Sequence, residues 1–357
     1  MLHHLFHRLL SPIRRVATTM CGEGSGDKPE EAAAGPAPTP EAPPGTPWQA
    51  IVASVAGASH QRVGLPNQDA IASQTTRQEG IVLCASDGHG SARYFRSEIG
   101  SRLAIEVGLA KIRTFIDRSE EEDDERERWA RLLEHEARDR LPREIVLAWR
   151  EAVMAHAAAN PRPADATAAA NPADDPPPES APEPASPTEE PGEVPIDAYG
   201  ATFLAVAVCP RFILYLQLGD GEIVTLEQDV ADFALPRDPR LLANETTSLC
   251  GQDAWREFRV RLDLFRSNRP DLVLIATDGY SNSFATDQDF LQVPGDLWTA
   301  LRREGPAYLE RNLAEWLTES SNLGSGDDAS VGLLFRMPCE PHLLEAEGSG
   351  TKEEVSP

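Results

Sequence analysis

The sequence predicts an α+β fold, in which antiparallel β-sheets carry helices on their outer faces. Three apolar segments after residue 200, ATFLAVAVC, RFILYLQLG and EIVTLE, are joined by links as short as Pro210-Arg211 and Asp220-Gly221. Links this short require antiparallel neighbours, since a parallel crossover needs a dozen or more residues. Helical patterns come in pairs, and no glycine-rich phosphate loop follows a strand, which excludes a doubly wound dinucleotide fold.

The other elements follow from the apolar periodicity. Further strands are expected near Trp48 and at residues 80–86, 258–262, 272–277 and 330–335. Helices are expected at 92–116, at 120–141, after Pro142, at 288–303 and at 306–320. In the charged helical region the residues expected to face the core are Leu132, Leu133, Ile145, Leu147, Trp149 and Val153.

Three segments have a composition that is typical of disorder. They are residues 1–47, with a basic start, the acidic Pro/Ala-rich residues 158–195, and the tail 338–357. Such segments hold too few large apolar side chains to offset the entropy lost on ordering. Strand-like sequence resumes after the second segment, so we interpret it as an insertion within one domain, 48–337. The first twenty residues also suit a weak amphipathic helix against a membrane or a partner.

Charge and cysteine content narrow the class of protein. A formal net charge of −25 argues against binding to nucleic acid or to anionic membranes. The five cysteines are scattered, without a CxxC pair, which indicates reduced thiols and a cytoplasmic protein. No apolar stretch is long enough for stable insertion across a bilayer.

Several aspartates share one context, the end of an apolar strand beside glycine or a turn. They are Asp69 in PNQDAI, Asp87 in LCASDGHG, Asp220 in LQLGDGEI, Asp278 in LIATDGYS, and Asp327 and Asp328 in GSGDDASV. Each alone is an ordinary turn residue. If the strand ends converge, the carboxylates would destabilise one another unless divalent cations lie between them.

A pair of such cations about 4 Å apart can bind a phosphate and activate a water that attacks phosphorus directly. The sequence fits this route, because it has no DxD at a strand end for a phosphoaspartate.

The ordered series NQD, DGHG, GAT…GDG, ATDG and DDAS resembles the metal-dependent serine/threonine phosphatases of type 2C, the PPM family. The resemblance covers about residues 48–337, and SHQRVGLPNQDA and ANETTSLC are similar to its bacterial branch. It implies a four-layer αββα sandwich, two antiparallel sheets flanked by helix pairs, with the metals at one end. It also implies phosphoprotein substrates and a cognate serine/threonine kinase system.

The resemblance assigns roles to individual residues. Asp69, Asp87 and the backbone carbonyl of Gly88 would bind two Mn²⁺ or Mg²⁺ ions. Asp278 and Asp327 would complete the set, and Asp220 with Asp278 would hold a third ion. His89 is a candidate general acid for the leaving alkoxide. The segment 229–257 would form a mobile flap beside the active site, or else a plain long loop.

The sequence departs from the family pattern at the phosphate-binding arginine, whose position is Gly64. Arg62 is our candidate for that role and His60 the alternative, since both can donate hydrogen bonds to phosphate. Gln68 replaces a common acidic residue, GDG replaces GDS, and DD replaces DN.

The prediction is therefore a protein serine/threonine phosphatase. One alternative is a weak or inactive phosphatase-like module that binds phosphoproteins or regulatory partners. The other is an unrelated two-metal phosphodiesterase or nuclease, against which the negative charge of the chain argues.

Overall fold

The computed structural model describes residues 47–77, 79–119, 126–161, 194–237, 246–264 and 269–337. Most of the three segments predicted to be disordered, namely 1–46, 162–193 and 338–357, lies outside the described residues. Part of the predicted flap, 238–245, also lies outside them.

Ten strands form two five-stranded sheets in which every strand pair is antiparallel. The order of the first sheet is β1-β10-β9-β6-β7, and that of the second is β2-β3-β4-β5-β8. The strands are β1 (Gln49–Val55), β2 (Ala70–Thr75), β3 (Ile81–Ser86), β4 (Phe203–Val208), β5 (Phe212–Leu218), β6 (Glu222–Glu227), β7 (Val230–Phe233), β8 (Arg259–Leu264), β9 (Leu272–Ala276) and β10 (Ala329–Phe335).

Helices cover the outer face of each sheet. The α-helices are α1 (Ala58–Val63), α2 (Ser97–Ser119), α3 (Arg126–His135), α4 (Leu141–Ala159), α5 (Ala254–Glu257), α6 (Asp278–Ser281), α7 (Asp287–Phe290), α8 (Val293–Glu304) and α9 (Pro306–Leu323). Short 3₁₀ turns lie at Ala92–Tyr94 and Ile196–Tyr199, and a π-helical turn at Glu136–Arg140 joins α3 to α4.

Three apolar clusters fill the spaces between four layers, which confirms the predicted αββα sandwich. One lies between the second sheet and α2, α3 and α4. Another lies between the first sheet and α8 and α9. The third lies between the sheets. Alternate residues of β3 enter different clusters, Val82 and Cys84 the outer one and Leu83 the central one. A strand buried on both faces reads as a continuous apolar run, and IVLCAS is such a run.

One topological prediction is wrong. The short link at Asp220-Gly221 does not join antiparallel neighbours: β5 belongs to the second sheet, and β6 pairs with β7 and β9 in the first. The chain passes from one sheet to the other within three residues, helped by the positive φ of Gly219 (108°). Asp220 therefore lies on the bridge between the sheets.

Other predictions about the helices and strands also need correction. The helix expected from Ala92 begins at Ser97, after the 3₁₀ turn. Leu132 and Leu147, which were expected in the core, are each 51% exposed, whereas Leu133 is 5% exposed. The helix expected over 288–303 is divided into α7 and α8, and the strands β2 and β7 were not predicted.

Candidate metal centre

Strand register brings the predicted ligands to one end of the sandwich. Asp69 precedes β2 and Asp87 follows β3, and Ala70 pairs with Ser86, so both aspartates leave the same end of the second sheet. In the first sheet Asp278 follows β9 and Asp327 lies just before β10. Antiparallel pairing of β9 with β10 and with β6 puts these two and Asp220 at one end as well.

Three carboxylates meet at this end. Asp87, Asp220 and Asp278 each offer an oxygen, and these oxygens all lie within 4.8 Å of one another. Carboxylates this close repel one another, and after burial the charges of Asp69 and Asp278 help to raise the pKa of Asp87. Cations between them would remove that repulsion.

Asp69 interacts electrostatically with two members of this group, Asp87 and Asp278. Its Oδ2 accepts a hydrogen bond from Thr277 Oγ1 (2.7 Å), while its Oδ1 is buried and accepts none from the described residues. Burial, together with the charges of Asp328 and Asp278, raises the pKa of Asp69 to about 7, although the Thr277 and Ser330 hydroxyls act in the opposite direction.

The other carboxyls at the centre respond in the same way. Burial, and to a smaller extent the charge of Asp69, raises the pKa of Asp87 well above its usual range. Burial raises the pKa of Asp278 to about 6, with further contributions from Asp220 and Asp327 and an opposing hydrogen bond from Asp87. The ionised forms of these carboxyl groups are therefore destabilised in the absence of cations. Raised pKa values of this kind are expected at a site that binds cations.

The loop that follows β3 is held tightly by its neighbours. Asp87 N donates to Thr202 Oγ1 (2.9 Å), and Asp87 O accepts from Thr202 N (2.8 Å). A Cβ at Gly88 would lie 2.7 Å from the Gln68 carbonyl oxygen, so only glycine fits there. His89 follows with its ring edge-on to Tyr94, at 4.6 Å between centroids. Burial lowers the pKa of His89, and the Asp220 charge opposes that shift.

A cavity of about 1130 Å³ opens over these groups. Asp87, Asp220, Asp278, Asp327 and His89 all line it. It is also lined by Arg237, whose guanidinium bridges Asp287 Oδ1 (2.7 Å) and Glu222 Oε1 (3.1 Å), and by Arg259, which donates to the carbonyl of Pro236.

The structure does not bring Arg62 to this cavity. Arg62 is exposed on α1, where its guanidinium donates to Ala58 O and Ser59 Oγ of the same helix, both at 3.1 Å. It lines a smaller depression of about 460 Å³ formed with the end of α9 and the loop after it. His60 does not line the cavity either, and its imidazole contacts Asp328.

The residues present fit a hard divalent cation. Each predicted ligand offers oxygen, the donor that Mg²⁺ and Mn²⁺ prefer. The buried Asp69 Oδ1 has a lone pair that no described group satisfies, and a buried carboxylate oxygen without a partner is costly. A cation in contact with it would remove that cost.

Sequence reasoning missed several residues that shape the site. Arg237 and Arg259 are separated from the aspartate motifs in the sequence and carry no local signal. Thr277, the hydrogen-bond partner of Asp69, was taken only as the last residue of a strand. Asp328 was noted as a strand-end aspartate of GSGDDASV and as a departure from the family pattern, but it was assigned no role.

Comparisons with known proteins identify the family. A sequence model of protein phosphatase 2C matches residues 56–318. A search of curated protein sequences gives no significant match.

Among solved structures, the serine/threonine phosphatase Stp1 from Staphylococcus aureus is 14% identical, with a TM-score of 0.50, covering 84% of this chain and 99% of its own. A bacterial serine phosphatase is 14% identical, with a TM-score of 0.50 and coverage of 82% and 99%. The catalytic domain of the phosphatase PstP, crystallised with two manganese ions, is 13% identical, with a TM-score of 0.46 and coverage of 81% and 97%.

No helix in the described ranges is long and apolar enough to cross a lipid bilayer. The family match spans well over half of the sequence, and the sandwich is that of the matched structures. The chain belongs to the protein phosphatase 2C family and has the fold of its serine/threonine phosphatases.

Proposed function

We propose that this protein hydrolyses phosphoserine and phosphothreonine in proteins with the help of two divalent cations, Mn²⁺ or Mg²⁺. The observation that carries the proposal is the convergence of Asp87, Asp220 and Asp278 within 4.8 Å, beside the unsatisfied carboxylate oxygen of Asp69. Bound cations would stabilise such a group of charged acids, and phosphate is a ligand that cations of this kind attract.

Asp69, Asp87, the Gly88 carbonyl, Asp278 and Asp327 would hold the two ions. Asp220 would hold a third ion together with Asp278. When bound, the ions would neutralise the carboxylates, orient the phosphate and lower the pKa of the water that attacks phosphorus.

His89 would give a proton to the departing serine or threonine oxygen. Its place on the cavity wall supports that role. The lowered pKa makes its protonated imidazole a stronger acid.

Arg237 and Arg259 would supply the positive charge that binds the substrate phosphate. The family's arginine position is Gly64, and the guanidinium of Arg62 is held by its own helix. Within the described residues, Arg237 and Arg259 are the arginines that line the cavity. Guanidinium groups suit phosphate because they donate two parallel hydrogen bonds.

The wider setting follows from the same proposal. The phosphatase domain would comprise residues 48–337, with the acidic segment as an insertion. Its substrates would be phosphoproteins made by a serine/threonine kinase. The three described cysteines, Cys84, Cys209 and Cys250, are free thiols, which supports a cytoplasmic location.

The test is turnover of an aryl phosphate and of a phosphopeptide panel, with and without Mn²⁺. We expect metal-dependent release of phosphate, and loss of at least about 100-fold in kcat for Asp278→Asn because one cation ligand is removed. Asp139→Asn, at an exposed carboxylate on the π-helical turn, serves as the control. Metal binding without turnover would instead indicate the phosphatase-like binding module.

A further inference from the structure

His60 and Asp328 form a pair that the proposed chemistry does not use. Asp328 is 3% exposed, and the side chain of His60 is 13% exposed. His60 Nδ1 lies 2.9 Å from Asp328 Oδ2. A carboxylate only accepts hydrogen bonds, so Nδ1 carries the proton and donates it.

Asp328 collects hydrogen bonds from two separate parts of the chain. Its Oδ1 accepts from Gly57 N and its Oδ2 accepts from Gln68 N, both at 2.6 Å. Gly57 is the N-cap of α1, where unpaired N–H groups and the helix dipole favour a negative charge. Three donors, counting His60, allow this carboxylate to be buried and charged.

The groups that surround Asp328 adjoin two proposed metal ligands. Gln68 immediately precedes Asp69. Asp327 immediately precedes Asp328, and its Oδ1 accepts from Asp328 N (2.8 Å) and lies 4.0 Å from His60 Nε2. One buried carboxylate therefore ties the start of β2 in the second sheet to the start of β10 in the first.

We propose that His60 is a positioning residue of the metal centre, which holds Asp328 and thereby sets the separation between Asp69 and Asp327. The inference rests on the proposed function, because it concerns the geometry of the same cation site. Without the imidazole, Asp328 loses a donor and water enters beside it. The two ligand-bearing segments are then joined less firmly.

Two other roles for His60 fit the geometry less well. Direct contact with substrate phosphate requires a place on the cavity wall, and His60 does not line the cavity. Direct coordination of a cation by His60, Asp327 and Asp328 together would place the ion on a carboxylate that already accepts hydrogen bonds from His60, Gly57 and Gln68. Both of those roles predict different results in the following experiment.

The experiment measures Mn²⁺ affinity by titration calorimetry on the full chain, and kcat and KM for an aryl phosphate. The variants are His60→Ala, His60→Asn and His60→Gln. The amide nitrogen of asparagine lies close to the place of Nδ1, whereas that of glutamine lies close to the place of Nε2. Gln61→Ala is the control, since Gln61 is exposed on the same helix and its side-chain amide donates to Ala56 O (2.7 Å).

We expect His60→Ala and His60→Gln to bind Mn²⁺ about 10- to 100-fold more weakly, as is usual when the support of a metal ligand is removed. His60→Asn should stay within about three-fold of wild type, because it keeps the donor to Asp328. At saturating Mn²⁺, KM should be unchanged in all variants. The asparagine and glutamine variants decide the question even if His60→Ala fails to fold.

Unchanged Mn²⁺ affinity in both His60→Ala and His60→Gln would overturn the inference, as would equal weakening by asparagine and glutamine. A rise in KM without a change in affinity would instead place His60 on the phosphate. If the wild-type protein binds no Mn²⁺, the proposed function fails too. If it binds Mn²⁺ and the variants match it, only the role of His60 is lost.

Discussion

Asp69→Asn is expected to stabilise the metal-free protein while it abolishes cation binding. Asp69 is buried, with one oxygen held by Thr277 and the other unsatisfied. The amide of asparagine can accept the Thr277 hydrogen bond and carries no charge. The substitution therefore removes the cost of burying this carboxylate.

The size of the effect follows from the raised pKa. Burial, the first cause, and the charges of Asp328 and Asp278 raise it from 3.8 to about 7. A difference of roughly three units is worth about 4 kcal/mol. The folded state keeps its proton to higher pH than the unfolded chain, so stability falls as pH rises from about 4 through about 7. Above that range the full cost is present.

The assay is thermal unfolding with a chelator present, followed by circular dichroism from pH 5 to pH 8. At pH 8 the melting temperature of Asp69→Asn should exceed that of wild type by on the order of 10 °C, and at pH 5 the difference should be smaller. Added Mn²⁺ should raise the melting temperature of wild type only, since binding to the folded state alone stabilises it.

The reasoning is refuted if metal-free wild type becomes more stable between pH 5 and pH 8, or if Asp69→Asn is no more stable than wild type at pH 8. Asp139→Asn controls for the loss of one negative charge, because Asp139 is 61% exposed. Its melting temperature should match that of wild type at each pH.

Three further predictions test the packing and the cavity. Gly279→Ala places a Cβ 1.9 Å from the Asp328 carbonyl oxygen. It should therefore lower the free energy of unfolding by at least about 3 kcal/mol. A midpoint of urea unfolding equal to that of wild type would contradict this. Leu133→Ala should lower the free energy of unfolding in urea by about 2–4 kcal/mol, because Leu133 is buried. Leu132→Ala, at its exposed neighbour, should lower it by less than about 0.5 kcal/mol. Equal losses would show that the two side chains are equally buried. Arg237→Ala should raise KM for an aryl phosphate about ten-fold with little change in kcat, as expected for the loss of one charged hydrogen bond, and an unchanged KM would exclude Arg237 from phosphate binding.

The core strands could be predicted from the sequence because they are buried on both faces. Segments such as FLAVAV and FILYLQL are continuous apolar runs, and an aspartate at the end of such a run is visible without a structure. Edge strand β2 was missed because AIASQT has polar and half-buried residues. Its place beside β3 is set by pairing along the whole strand.

The error at Asp220 has a physical cause. A two-residue link between apolar strands normally makes a hairpin, and no local signal distinguishes a hairpin from a passage between stacked sheets. The sheet to which β6 belongs is decided by its pairing with β9, which lies far along the chain.

Leu147 was misplaced for a different reason. Ile145, Leu147 and Trp149 are spaced by two residues, and a helix cannot turn all three to one face. The structure buries Ile145 and Trp149, four residues apart, and exposes Leu147. Arg237 and the partners of His60 depended on contacts distant in sequence, which composition and periodicity do not report.

The division of the proposed ligands between the two sheets has a consequence for biosynthesis. Strand β1 pairs with β10, and Asp278 and Asp327 lie between β9 and β10 in the sequence. A chain leaving the ribosome can form the second sheet early, but it lacks half of the acidic centre until β10 has emerged. A nascent or truncated chain that ends before β10 is therefore expected to have no phosphatase activity. Activity would begin only when synthesis of the domain is finished.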